Sequence, residues 1–200
     1  MRNQNSRLRL YPAVCAAAML LCCTGCGGAD SSSTESSAAE NGLKTVSAEG
    51  VDAGCADCIK AYFEAIEAKD YEAYVKTIYP PYKETYDKLL NEKGDKPEDD
   101  FAELCTRFDE DGYESWHLTD LTLSYYEKED TGIDKFFDRY VQGGVFDAQF
   151  VTDCKADAAE IHDVIFTLSA LYKGDAEPVT VVDGAGILAV KNKEGWFVFG

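Results

Sequence analysis

The chain has 200 residues, of which 19 are basic and 37 acidic, and its net charge is −18 at pH 7. A protein this acidic repels phosphate backbones and anionic membrane surfaces, which argues against nucleic acid as a partner. Attachment to a membrane would therefore need a covalent lipid. The 12 tyrosines and 10 phenylalanines supply enough apolar surface for a sizeable core.

The chain begins in the order of an export signal. A basic start carries Arg2, Arg7 and Arg9, no acidic residue precedes position 26, and an uncharged apolar run occupies residues 13–23. The run is too short to cross a bilayer, and a basic start followed by an apolar stretch is typical of a secretory signal peptide. The sequence therefore predicts a signal peptide over residues 1–25.

Two small residues, Thr24 and Gly25, precede Cys26 at the end of this segment. The step resembles the lipobox of bacterial lipoproteins, although Cys23 stands where that motif usually has an aliphatic residue. The resemblance implies cleavage before Cys26 and a diacylglycerol on its thiol, so the partner is membrane lipid and the location is the extracytoplasmic face of the cell membrane. Residues 1–25 hold three basic residues and no acidic one, so the processed chain would carry −21.

The segment after the lipobox has a different composition from the rest of the chain. Residues 29–43 are rich in Ser, Ala and Glu and contain no aromatic residue. Such a stretch cannot bury enough apolar surface to offset its ordering entropy. We therefore expect a flexible tether over residues 26–50, which begins at the lipidated cysteine, and a single folded domain over residues 51–200.

Helical spacing of apolar residues marks the first half of the domain. Asp70 is placed as an N-cap, Pro80 and Pro81 end one helix, and Pro97 suits a first helical position. Gly112 is expected to close the last of these helices. The predicted helical stripes cover residues 58–66, 71–78, 82–90 and 101–108.

Strand-like alternation dominates the second half. It covers residues 116–126 and 160–172, with one more helical stripe at 133–141 that ends at Gly143 and Gly144. Three further strands at 179–182, 186–191 and 196–199 are predicted, the last two joined by a hairpin turn at 192–195. Helices followed by a run of strands indicate an α+β fold.

Two stretches carry a family resemblance. They are Ala61-Tyr62-Phe63-Glu64-Ala65-Ile66 with Asp70-Tyr71-Glu72-Ala73-Tyr74, and, at the end of the chain, Ala189-Val190-Lys191 with Gly195-Trp196-Phe197-Val198. Together they resemble the nuclear transport factor two-like superfamily. The resemblance spans about residues 53–200 and implies N-terminal helices packed on a curved, mainly antiparallel, cone-like sheet. The helix-rich stretch 81–108 departs from it, because a minimal cone does not need that length.

Four cysteines remain after the signal peptide and Cys26 are set aside: Cys55, Cys58, Cys105 and Cys154. An even count in an exported domain predicts disulfides, and we expect Cys105 to be joined to Cys55 or Cys58 because their helices should pack together. The CxxC spacing also suits a redox pair, but that reading needs a preceding strand, where the sequence indicates a tether. A four-thiolate zinc site lacks a second close pair, so no metal is expected.

Two other motifs fail in their context. Residues 183–189 mimic a dinucleotide fingerprint without the helix that must follow, and residues 109–114 resemble only part of a calcium loop, so no cofactor is predicted. His162 is the candidate base if a pocket exists, although a histidine that caps a core face is commoner. Tyr62, Trp116 and His162 are the predicted pocket residues, because aromatic faces suit a mostly apolar pocket with a few polar anchors.

These observations favour a membrane-anchored lipoprotein that binds a small ligand, a peptide or a protein without catalysis. A small cone-fold enzyme of the isomerase or dehydratase kind, with a pocket acid or base, is the first alternative. A structural or interaction subunit of the cell envelope is the second. The cavity distinguishes them: a buried acid or histidine in an open pocket favours an enzyme, an open apolar pocket favours binding, and a filled one favours interaction.

Overall fold

The computed structural model describes residues 42–109, 113–125 and 131–199. The predicted signal peptide, Cys26, most of the tether and Gly112 lie outside these residues. Within them, six helices pack on one five-stranded sheet, and the α+β prediction is confirmed. In chain order the elements are β1 (Lys44–Glu49), α1 (Ala53–Ala68), α2 (Tyr71–Thr77), α3 (Pro80–Lys93), α4 (Pro97–Leu104), β2 (Trp116–Tyr125), α5 (Thr131–Gln142), α6 (Ala148–Asp157), β3 (Glu160–Tyr172), β4 (Val179–Asn192) and β5 (Gly195–Val198).

The strands follow one another across the sheet in chain order, from β1 at one edge to β5 at the other. β1 pairs with β2 in parallel, and the other three pairs are antiparallel. The sheet is therefore mainly antiparallel, as predicted, and it is open because β1 and β5 do not pair with each other. An isolated bridge between Ile78 and Val198 ties the end of α2 to the β5 edge.

β1 corrects the predicted boundary between tether and domain. Lys44–Glu49 lies inside the segment assigned to the tether, yet it pairs with β2, and Leu43 just before it is 3% exposed. The side chains of β1 are almost all exposed, so backbone pairing with a long neighbouring strand holds it in place. Val46 and Ala48 alternate with polar residues in β1, but this alternation covers few residues and Val46 is 63% exposed, so it does not mark a buried strand face.

The predicted helix boundaries are largely confirmed because they rest on local chemistry. The Asp70 carboxylate accepts a hydrogen bond from Ala73 N at 2.9 Å and caps α2. Pro80 and Pro97 each stand at the first position of a helix, where a missing N–H costs nothing. α4 ends at Leu104, earlier than expected.

Two elements of the second half differ from prediction. The stretches 179–182 and 186–191 form one continuous strand, β4, because β3 is long enough to pair with both. α6 has no counterpart in the prediction. Asp147 caps it, accepting a hydrogen bond from Phe150 N at 2.9 Å.

The core has two aromatic parts. α1 packs Ile59, Phe63 and Ile66 against the sheet, and the Phe63 ring centroid lies 4.9 Å from that of Phe166 on β3. The second part surrounds Phe199, which follows β5 and is 2% exposed. Its ring contacts the rings of Tyr79, Tyr82, Phe136, Phe137 and Phe150. Phe199 thus joins the C-terminal edge of the sheet to α3, α5 and α6.

Candidate functional site

A surface cleft of about 300 Å³ opens where α3 begins, α6 ends and β4 turns into β5. Its wall includes the apolar groups of Pro80, Pro81 and Phe150. Its polar side chains are those of Tyr79, Asp153, Cys154, Asp157, Asn192, Lys193 and Glu194. We call this feature the α6 cleft.

Three elements converge on one carboxylate in the α6 cleft. The Tyr79 hydroxyl donates a hydrogen bond to Asp157 Oδ2 at 2.9 Å, and the Asn192 amide donates to the same oxygen at 3.0 Å. Both bonds fall on one oxygen of an exposed residue, and none of the hydrogen bonds between described residues reaches the other oxygen, Oδ1. The carboxylate is held in a fixed orientation while half of its accepting capacity stays open.

The electrostatics of the cleft favour a positive charge. Hydrogen bonds from Asn192 and Tyr79 lower the pKa of Asp157, with a smaller contribution from the charge of Lys193, so the carboxylate is ionised at neutral pH. Asp153 and Glu194 add two exposed carboxylates, and Lys193 supplies the one cation among the lining residues. The lining therefore has a net charge of about −2 on a chain that is itself strongly acidic.

The Tyr79 hydroxyl and the Cys154 thiol, both buried beside the cleft, carry their protons at neutral pH. Burial raises the pKa of the Cys154 thiol to about 11, and burial together with the Asp157 hydrogen bond raises the pKa of Tyr79. A thiol acts as a nucleophile only as its thiolate. Apart from Lys193, the cleft thus presents carboxylates and neutral side chains, an arrangement that suits binding of a cation.

Local sequence positions each wall of the cleft. Tyr79 N donates to Val198 O at 2.9 Å, which fixes the start of α3 beside β5. The turn between β4 and β5 is closed by Glu194 N, which donates to the Asn192 side-chain oxygen at 2.8 Å. Gly195 follows with φ of 139°, a conformation that side chains rarely adopt.

His162, the predicted base, lies elsewhere. Its ring packs between Tyr125 and Trp196, with centroid distances of 5.0 and 4.9 Å, and Nε2 is 3.2 Å from Glu160 Oε2. Nδ1 is buried and has no hydrogen-bond partner among the described residues. The residue is on the buried side of β3, as expected, but it does not line the α6 cleft.

The structure does not bring the three predicted pocket residues together. Trp116 pairs with Tyr172 at one end of the β2–β3 ladder, and His162 lies ten residues away along β3, about 33 Å at strand rise. Tyr62 is buried in the core, where its ring contacts Phe63 and Tyr74. The Trp116 indole N–H donates to Asp109 at 2.8 Å. The expectation of a shared aromatic mouth is wrong because the strands are long and their ends are far apart.

The four cysteines are free thiols in the structure. The expected bridge from Cys105 to Cys55 or Cys58 is absent. Cys105 follows α4, where Lys69 and Asp109 act on its thiol, whereas Cys55 and Cys58 lie on the first turns of α1. Packing of the two helices side by side, on which the pairing depended, does not occur at this point.

The residues that define the cleft were missed by sequence reasoning, apart from Cys154. Tyr79 and Asn192 are 78 and 35 positions from Asp157, so no local spacing links them. One signal was available: Asp147 before Phe150, Val151 and Cys154 has the pattern of a cap followed by an apolar helix face. That pattern would have predicted α6 and brought Asp153 and Asp157 onto its surface.

Comparison with protein-family models, curated proteins and solved structures found no match to this chain. Among the described residues, no group of three or more His, Cys, Asp or Glu side chains is arranged to hold a metal ion. No helix in the described ranges has both the length and the apolar composition that crossing a bilayer requires.

Proposed function

We propose that this chain is a lipoprotein, anchored through Cys26 at the extracytoplasmic face of the membrane, whose domain binds a cationic ligand in the α6 cleft. The ligand is an ammonium or guanidinium group on an aliphatic stem, carried either by a free amine or by a basic side chain of a protein. The lipobox-like step supports the anchor. The arrangement around Asp157 supports the ligand class.

The single observation that carries the ligand class is the half-satisfied Asp157 carboxylate. Tyr79 and Asn192 hold Oδ2, and the low pKa keeps the group charged, so Oδ1 can accept a charge-assisted hydrogen bond without rearrangement. A preoriented acceptor reduces the entropy that a ligand must lose on binding.

The apolar groups of the cleft complete the recognition. Phe150 and the two prolines line the cleft together with the carboxylates, and a methylene stem can pack on them while its charged end reaches Asp157. The charges of Asp153 and Glu194 make the electrostatic potential of the cleft more negative, and the charge of Lys193 makes it less negative. The site thus discriminates against anions and against neutral chains of the same length.

The test is isothermal titration calorimetry on the full chain in detergent, with 1,5-diaminopentane as the free-amine probe and a capped lysine peptide as the protein-side probe. Asp157→Asn should weaken binding of both probes about three- to fivefold, the value of one partly exposed ion pair. Lys193→Gln should strengthen it, because that change removes the competing charge. The ratio of the two wild-type affinities shows which source fits better.

Two controls make the result specific. Glu177→Gln removes one negative charge at an exposed position in the β3–β4 connection, outside the cleft, and should leave the affinity unchanged. The neutral diol with the same five-carbon stem should bind more weakly than the diamine. Equal affinity of wild type and Asp157→Asn for both cationic probes would refute the proposed ligand class.

A further inference from the structure

The pair Cys55 and Cys58 stands in a context that the sequence did not reveal. β1 precedes α1, and both cysteines lie on the first turns of that helix, after the cap residue Asp52. The Asp52 carboxylate accepts hydrogen bonds from Gly54 N at 2.9 Å and from Cys55 N at 3.2 Å. The strand-then-helix context required of a redox CxxC is thus present, because β1 and not the tether directly precedes α1.

The helix brings the Cα atoms of the two cysteines within the range of a disulfide. Residues three apart on an α-helix have Cα atoms about 5 Å from each other, which lies inside the range of about 4.4–6.8 Å seen in disulfides. Their Cβ atoms are about 5–6 Å apart on a regular helix, so closure needs a small adjustment. Cys55 lies in the first turn of α1, where its N–H is held by the Asp52 side chain at 3.2 Å and not by a preceding turn of helix, so the backbone at Cys55 can make this adjustment.

The four described cysteines differ in the groups that lie near enough to change the pKa of each thiol. Cys58 is close enough to Cys55 to contribute to the raised pKa of its thiol. The groups that act on Cys105 are Lys69 and Asp109, and those that act on Cys154 are Tyr79, Asp157 and Lys155. Cys55 and Cys58 are therefore the one pair of described cysteines in which one thiol acts electrostatically on the other.

The two thiols also differ in access. Cys58 is half-buried, and its thiol lies 3.2 Å from Trp196 O and 3.8 Å from Thr77 O, to which it donates. Cys55 is fully buried. A disulfide reagent therefore reaches Cys58 more readily than Cys55 in the folded domain. Burial raises the pKa of both thiols to about 12, so the reactive thiolates form during refolding, before the two side chains are buried.

We propose that Cys55 and Cys58 form a local disulfide across the first turns of α1. In the folded domain Cys105 and Cys154 then remain free thiols. The oxidant is a disulfide donor of the exchange type. The Cys58 thiolate attacks one sulfur of the donor, forms a mixed disulfide and releases one donor thiolate, which takes up the proton that Cys58 lost. The Cys55 thiolate then attacks the Cys58 sulfur and releases the second donor thiolate, which takes up the proton of Cys55. The cysteine pair loses two electrons, and the donor gains them.

The test follows single tryptic peptides, because trypsin separates the cysteines cleanly. Residues 45–60 form one peptide that contains both Cys55 and Cys58, whereas Cys105 and Cys154 fall on 94–107 and 140–155. The full chain is refolded from urea in a buffer of reduced and oxidised glutathione. Iodoacetamide then labels the free thiols, the protein is digested with trypsin, and the masses of the peptides are measured by mass spectrometry. Refolding lets buried thiols reach equilibrium.

We expect peptide 45–60 to be two hydrogen atoms lighter and to carry no label, and to accept two labels after reduction. Peptides 94–107 and 140–155 should remain labelled. Cys58→Ala should leave Cys55 fully labelled, while the matched control with both Cys105→Ala and Cys154→Ala should oxidise as the wild type does. Two labels on peptide 45–60 in the wild type, or its linkage to either other peptide, would overturn the proposal.

Discussion

Replacement of Tyr79 by phenylalanine tests the construction of the α6 cleft. The substitution keeps the buried ring, which packs on Phe199, and removes only the hydroxyl that donates to Asp157. The net value of an ordinary hydrogen bond is about 0.5–1.5 kcal/mol, and an exposed carboxylate keeps much of its hydration. We therefore expect Tyr79→Phe to lower the free energy of unfolding by about 1 kcal/mol at pH 7.

The pH dependence is the sharper part of this prediction. The pKa of Asp157 is lowered in the folded protein, so its hydrogen bonds contribute stability above the unfolded carboxyl pKa, near 4, and lose it as pH falls through the folded pKa. The difference between wild type and Tyr79→Phe should be full at pH 6–7 and should shrink below pH 4.

Urea unfolding of both proteins at pH 7 and pH 3 measures this difference. Asp157→Ala in a double-mutant cycle isolates the pair, with a coupling energy of about 1 kcal/mol at pH 7 and less than about 0.5 kcal/mol at pH 3. Tyr125→Phe, at a tyrosine that is 39% exposed, is the control and should change stability by less than about 0.5 kcal/mol. An equal cost of Tyr79→Phe at both pH values would show that the hydroxyl acts through another group, such as the Cys154 thiol.

Two further predictions concern the core and the anchor. Phe199→Ala should destabilise the domain by about 3–5 kcal/mol in urea unfolding, because five aromatic side chains pack on this ring, and Phe199→Leu by less than about 1.5 kcal/mol; a cost of the alanine variant under 1 kcal/mol would contradict the packing described. Cys26→Ser should move the protein out of the membrane fraction or leave it unprocessed, because the acyl chains contribute about 0.8 kcal/mol per buried CH₂; retention of processed protein in membranes would count against lipidation.

Sequence reasoning succeeded where a single residue determines local structure. Asp70 caps α2, α2 ends before Pro80, Pro97 begins α4, and β3 runs over the predicted residues because each of these features depends on neighbours in the chain. That Pro80 also begins α3 was not predicted. The alternation of β3 also placed His162 on the buried side. It could not show that Tyr125 and Trp196, from two other strands, occupy the space beside it.

Features that depend on residues far apart in the chain could not be predicted from the sequence. β1 is held by backbone hydrogen bonds to β2, and the alternation of its own side chains is too short to predict a strand. The α6 cleft depends on a hydrogen bond between residues 78 positions apart. The sheet register also decides which predicted pocket residues can meet, and it separates Trp116 from His162.

The place of β1 has a mechanical consequence under the proposed anchor at Cys26. The 17 residues from 27 to 43 reach at most about 60 Å, and they connect directly to an edge strand rather than to a helix. Any force between the membrane and the body of the domain enters through Lys44 and acts along β1, across the hydrogen bonds that join it to β2. Those bonds then bear the load together in shear, so the strand that the tether leads into is also the part of the fold that resists extraction first.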